Sequence, residues 1–123
     1  MPTSRRKRRR PRPKLKLRLG QAAANQVSLS GTLAELGALR YTPAGMPAVE
    51  FMIRHESERV EAGTERKVRA EVAALAFDTV ARQVAAAGLG TALRAEGFLA
   101  AKSQRSAKIV LHVTEIEFME GAT

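Results

Sequence analysis

From Asn25 to Val72 the chain alternates apolar and polar residues, interrupted by a turn bracketed by two prolines, and this pattern constrains the fold more than any other feature. Val27, Leu29, Gly31 and Leu33 alternate with Ser28, Ser30, Thr32 and Ala34, the period of a strand with one buried face. Glycine inside a strand marks a sharp bend, a bulge or a close backbone approach, and curled small barrels need such bends; Gly31 is placed for that role. Arg40, Tyr41 and Thr42 resume extended structure before Pro43, Ala44, Gly45, Met46 and Pro47, a composition that leaves little but a turn. The next run sets Val49, Phe51, Ile53 and His55 on one face and Glu50, Met52 and Arg54 on the other. The two runs are expected to be antiparallel neighbours.

The polar stretch Glu56 to Thr64, which contains Gly63, reads as a loop. A third strand then covers Glu65 to Ala76, with Val68, Ala70, Val72 and Ala74 alternating with Lys67, Arg69, Glu71 and Ala73. Asp78 stands where a helix N-cap belongs, Val80, Val84 and Ala87 follow at helical spacing, and Gly88 and Gly90 close the segment. Leu93, Ala95, Gly97 and Leu99 form a fourth strand, Lys102 to Ala107 a loop, and Ile109, Leu111 and Val113 begin a fifth strand. The apolar set then changes phase to Ile116 and Phe118, which requires either a bulge near Thr114 or a strand covered on both sides. Strand, strand, strand, helix, strand, strand in about a hundred residues is the order expected of an all-β, five-stranded OB-fold barrel, a fold that binds single strands and oligosaccharides. Fold alone does not settle function.

Charge divides the chain in two. Of 21 lysines and arginines, ten lie in the first eighteen residues, Arg5, Arg6, Lys7, Arg8, Arg9 and Arg10 among them, with no acid between. The remainder holds 11 bases against 12 acids, so the net charge of +9 belongs to a tail and not to a basic domain. Such a run cannot bury a core, so residues 1–24 are expected to be a disordered basic extension and residues 25–120 the folded domain. The extension is either an auxiliary nucleic-acid-binding arm or a dispensable leader, an organelle transit peptide included. No apolar stretch of secretory or membrane-spanning length follows it, and the absence of cysteine excludes disulfide and thiolate chemistry. A cytoplasmic setting fits both.

Single strands are held by cations that follow the phosphates and by rings on which bases stack. The candidate cations are Lys67 and Arg69 on the third strand, and Lys102, Arg105 and Lys108 in the loop between the fourth and fifth. Tyr41 beside the turn and Phe98 in the fourth strand are the candidate rings; Phe98 breaks the alternation of its strand and so is expected to point outward, with core or interface packing as the other reading. Phe51, Phe77 and Phe118 are assigned to packing. Catalysis finds no constellation. Asp78 is the sole aspartate, His55 and His112 lie in different strands and read as structural, and Gly88-Leu89-Gly90 ends a helix where a phosphate loop would open one. Neither an enzyme activity, a metal nor a cofactor is expected. The Glu56, Glu58, Glu61 and Glu65 cluster is a solvated loop or a docking surface for a basic partner.

The segments LSGTL, LRYTPAGMPAVEFMIRHES, EAGTERKV, EGFLAAK and KIVLHVTEIE resemble, in order and spacing, the primosomal replication protein N (PriB) family over Asn25 to about Met119. The resemblance implies an OB-fold homodimer related to single-stranded DNA-binding proteins, pairing through the first strand. It implies single-stranded DNA binding with little sequence preference, and cooperation with the PriA helicase and the DnaT loader in restarting replication at abandoned forks. It also carries the binding surface onto the third strand and the loop after the fourth. One departure stands out: Arg69 occupies the place of the family's third-strand tryptophan, so stacking falls to a guanidinium plane, which can also pair with phosphate. Two other readings stay open, an RNA-binding or ribosome-associated barrel and a protein-protein adaptor with little DNA binding of its own.

Overall fold

The computed structural model describes residues 23–119. The arm residues Arg5 to Arg10, and the disorder expected of the extension, fall on residues outside that range. The elements are β1 (Val27–Leu36), β2 (Arg40–Tyr41), β3 (Pro47–Glu61), β4 (Thr64–Phe77), α1 (Asp78–Ala86), β5 (Ala92–Ser103) and β6 (Ser106–Phe118). The sheet runs β1-β5-β6-β4-β3-β2, and an additional β1–β3 pairing closes the five long strands into a barrel. Every pairing is antiparallel except β4 with β6. This is the OB arrangement expected from the element order, with β2 added as a two-residue strand on the edge of β3.

The alternation sorted the core correctly except at Leu99 and Ile109, set on the apolar face but exposed, because the β5–β6 hairpin there runs beyond the barrel. Leu33, Val49, Phe51, Ile53, Ala74, Ala76, Leu93, Ala95, Leu111 and Val113 fill the barrel, and α1 contributes Ala81 and Val84 to the same cluster. Alanine and small aliphatics thus take the place of the aromatic residues the chain lacks. Close backbone approaches follow from this small lining. A Cβ on Gly31 would overlap the Arg54 carbonyl oxygen, and one on Gly97 would overlap that of His112. Gly97 lies beside the bulge that accounts for the change of phase in β6. Gly97 pairs with Val113 and Glu96 with Glu115, which leaves Thr114 as the extra residue, its hydroxyl donating to the Glu96 carbonyl at 3.2 Å.

Three local expectations are corrected. Glu56 to Thr64 is not a loop: β3 and β4 stay paired out to Glu61 opposite Thr64. The reversal is made by Ala62 and Gly63 alone, both at positive φ (54° and 79°), as a two-residue hairpin requires. The apolar signal fails there because the arm stands clear of the barrel and buries neither face. Charges of opposite sign face one another across the strands instead, with Glu56 opposite Arg69, Glu58 opposite Lys67 and Arg54 opposite Glu71, the last within ion-pair distance. Lys102 to Ala107 is likewise mostly strand, with only Gln104 and Arg105 at the tip between Ser103 and Ser106. Asp78 is not the N-cap. Phe77, still paired with Ala48, holds that position, because β4 runs into α1 without a linker. Asp78 makes the turn at φ 59° and places a carboxylate in the first helical turn, where it favours the dipole.

Candidate nucleic-acid interface

On the outer face of the barrel, alternation along four neighbouring strands builds one surface. It carries Glu50, Met52 and Arg54 from β3, and Lys67, Arg69, Glu71, Ala73 and Leu75 from β4. Lys108, Val110 and His112 come from β6, and Phe98, Ala100 and Lys102 from β5, in the registers Glu50↔Leu75, Met52↔Ala73, Leu75↔His112, Phe98↔His112 and Ala100↔Val110. At its centre is a cleft of about 300 Å³ with Met52, Ala73, Leu75 and Val110 among its lining residues. Gly37, after β1, and the β5–β6 hairpin, bearing Lys102 and Lys108, are its rims. An apolar floor beside a cationic hairpin suits a strand whose bases lie inward and whose phosphates follow that edge; Glu35 and Glu50 line the cleft as well.

The expected site residues separate into groups. Lys102 and Lys108 line the cleft together. Arg105 projects from the hairpin tip, its N–H donating to Ser103 Oγ at 3.2 Å. Arg69 and Lys67 follow on the same face of β4, but Arg69 lies four residues from Ala73, about 13 Å at strand rise. Together they line a separate shallow groove with Glu56 and Glu58. Between that groove and the cleft, Arg54 donates from Nε and Nη2 to a single oxygen of Glu71 at 3.2 and 3.1 Å. Among the described residues, no carboxylate forms an ion pair with Lys67, Arg69, Arg105 or Lys108, whereas Lys102 Nζ lies 3.3 Å from Glu50. The barrel's near-zero charge therefore conceals four cations free to meet phosphate.

The rings are placed unequally. Phe98 points outward, 39% exposed, and lies against His112 with ring centroids 5.1 Å apart and planes 13° from parallel. Phe77 tilts over the same histidine at 6.5 Å and, like Phe118, is more than a third exposed, so of the three phenylalanines assigned to packing only Phe51 is buried. Tyr41 is exposed. Its neighbour Arg40 shares the face of Ala48 and Glu50, so Tyr41 points to the other side of β2, away from Lys102 and Lys108.

Sequence reasoning had passed over Arg40, Glu50, Met52, Val110 and His112 as site residues. The signal for the β3 members was present, because the alternation that buries Val49, Phe51 and Ile53 sends Glu50, Met52 and Arg54 to the face that carries Arg69. The two histidines have separate surroundings. His55 Nδ1 lies 2.7 Å from the Ser30 carbonyl. A carbonyl only accepts, so Nδ1 carries the proton, and Nε2 meets Ser57 Oγ at 2.9 Å. That contact caps the edge of β1 where β3 leaves it, since β1 pairs with β3 only from Thr32 onward. The rest of this edge, Val27 to Ser30, has a strand only on its β5 side among the described residues.

A closed five-stranded barrel with a helix between its third and fourth long strands, and a cation-rimmed apolar cleft on its outer face, defines a protein of the single-strand-binding OB class. The model of a family described as "Another single-strand binding protein family" matches residues 25–115. The replication restart protein PriB of Bordetella pertussis is 41% identical over 98 residues, 80% of this chain and 92% of that protein. The solved structure of PriB from Ralstonia solanacearum superposes with a TM-score of 0.71 at 33% identity, covering 80% of this chain and all of that one. Wild-type single-stranded DNA binding protein from Thermus aquaticus gives 0.65 at 25% identity over 80% of this chain and 52% of that one. Within that class, the chain belongs to the PriB family of replication restart proteins.

Proposed function

We propose that this protein binds single-stranded DNA across the outer face of its barrel and, as a homodimer, assists the PriA helicase and DnaT in restarting stalled replication forks. The observation that carries the reading is the cleft itself: Lys102 and Lys108 stand over Met52, Ala73, Leu75 and Val110, in a chain whose relatives are named for replication restart. Lys102, Arg105 and Lys108 contact phosphates at the hairpin rim. Arg69 and Lys67 extend the path along β4, with the Arg69 guanidinium laid on a base where the family has tryptophan. Phe98, already stacked on His112, offers its outer face to a further base. Tyr41, on the far side of β2, serves only a strand that wraps the barrel edge. The arm Arg5 to Arg10 adds sequence-independent attraction. The open edge of β1 from Val27 to Ser30 pairs with its copy across a two-fold axis, and the setting is the bacterial cytoplasm at replication forks.

The adaptor reading has one observation in its favour. The carboxylates of Glu56, Glu58 and Glu71 stand opposite Arg69, Lys67 and Arg54 and lower the potential of the β3–β4 hairpin. Both readings are tested by unwinding of a forked DNA by the cognate PriA helicase, with and without the protein. Stimulation that disappears when Lys102, Arg105 and Lys108 are replaced by alanine is the expected result. Stimulation unaffected by the triple change identifies the adaptor, and none at all refutes the restart role. Sedimentation at the mass of one chain would refute the dimer.

A further inference from the structure

Glu50 lines the cleft from the outer face of β3. Its backbone carbonyl accepts the Gly37 N–H at 2.8 Å, which fixes it where the β1–β2 connection meets β3. Its side chain lies between β2 and the β5–β6 hairpin. Oε2 accepts from Arg40 Nη2 on β2 at 3.0 Å, and Oε1 lies 3.3 Å from Lys102 Nζ on the β5–β6 hairpin. Two oxygens of one anion, one facing Arg40 on β2 beside the cleft and the other facing Lys102 in its lining, reproduce what the two non-bridging oxygens of a phosphodiester would present. Glu50 and its two partners are all solvent-accessible, with side chains 43%, 63% and 40% exposed, so the contacts exchange readily. Glu35 places a second carboxylate in the same cleft.

We infer that Glu50 is a resident phosphate mimic, a carboxylate that clasps Arg40 and Lys102 while the cleft is empty and must yield them to the backbone of a single strand. The inference rests on the single-strand-binding reading and deepens it. It makes Arg40, which no motif singles out, a phosphate contact. It makes Glu50 the residue that sets how weakly the cleft holds short strands. A carboxylate left within about 5 Å of the incoming phosphate also repels it.

The test is Glu50→Gln in the full chain, with binding of a fluorescent oligo-dT followed by anisotropy from 50 to 200 mM salt. Glutamine keeps the shape and still accepts a hydrogen bond from Arg40, so the exposed site stays folded. Affinity is expected to rise about fivefold at low salt. The slope of log affinity against log salt is expected to steepen by about 0.7 for each phosphate that Arg40 or Lys102 neutralises once Glu50 no longer competes for it, because each such contact releases a counterion condensed on the strand. Lys102→Ala should then cost more in the Glu50→Gln background than in the natural one. An unchanged or weakened affinity in a variant whose parent binds DNA overturns the inference and leaves the binding reading intact, with Glu50 instead orienting its two cations. A parent chain that does not bind oligo-dT at all overturns both.

Discussion

Lys108 provides the sharpest quantitative test of how the barrel holds a strand. It lines the cleft, no carboxylate among the described residues pairs with it, and its backbone N–H is tied to Ser106 Oγ at 3.2 Å. Replacing it with alanine therefore removes one free cation without releasing a partner. Each phosphate neutralised on a single strand contributes about 0.7 to the slope of log affinity against log salt. If the non-electrostatic part of binding is unchanged, that contact is worth about an eightfold change in affinity at 50 mM salt and about threefold at 200 mM. The measurement is fluorescence anisotropy of oligo-dT with Lys108→Ala and the parent chain at both salts. Arg82→Ala, on the exposed side of α1, serves as a control that should change nothing. A Lys108→Ala loss that is the same at both salts would mean that the side chain acts by packing. No loss at either salt would place the strand elsewhere on the barrel.

Arg69→Trp should restore a stacking surface worth about 1 to 3 kcal/mol per base and remove one cation. Binding should strengthen at 200 mM salt while the slope falls by about 0.7; weaker binding at all salts would show that Arg69 contributes only charge. Gly97→Ala places a Cβ against the carbonyl of His112 and within 3.0 Å of Val113 Cα, where only backbone could move. Urea unfolding at fixed protein concentration should show a loss of about 3 kcal/mol, against about 1 kcal/mol for Gly63→Ala, which meets nothing but has φ +79°. Equal losses at the two glycines would refute the close approach of β5 and β6.

What the sequence disclosed, and what it withheld, follows from burial. Wherever a strand has one face in the barrel, as in Val49, Phe51 and Ile53, the two-residue period reports it, and the register follows. Where β3 and β4 leave the barrel the period is carried by charges, so Glu56 to Glu61 looked like a loop although its residues pair with Arg69 to Thr64. The β5–β6 hairpin was hidden for a related reason: its far end, Lys102 to Ser103 and Ser106 to Lys108, has no buried face. The bulge at Thr114 was legible because a slip of one residue inverts the apolar pattern. The cleft was only half legible. Its cations could be named from the strand and hairpin that bear them, but the contact of Glu50 with Arg40 and Lys102 joins residues up to 62 positions apart. Only the closed barrel, which brings β2, β3 and the β5–β6 hairpin to one face, reveals it.

The barrel, and not the basic arm, is expected to recognise single strands. This is tested by comparing the full chain with residues 25–120 in anisotropy titrations of single-stranded DNA, duplex DNA and single-stranded RNA across a salt series. The expected result is that truncation lowers affinity for all three, most at low salt, while residues 25–120 still prefer single-stranded DNA. Loss of binding with the arm, or a truncated barrel that takes duplex as readily as single strand, would contradict the claim.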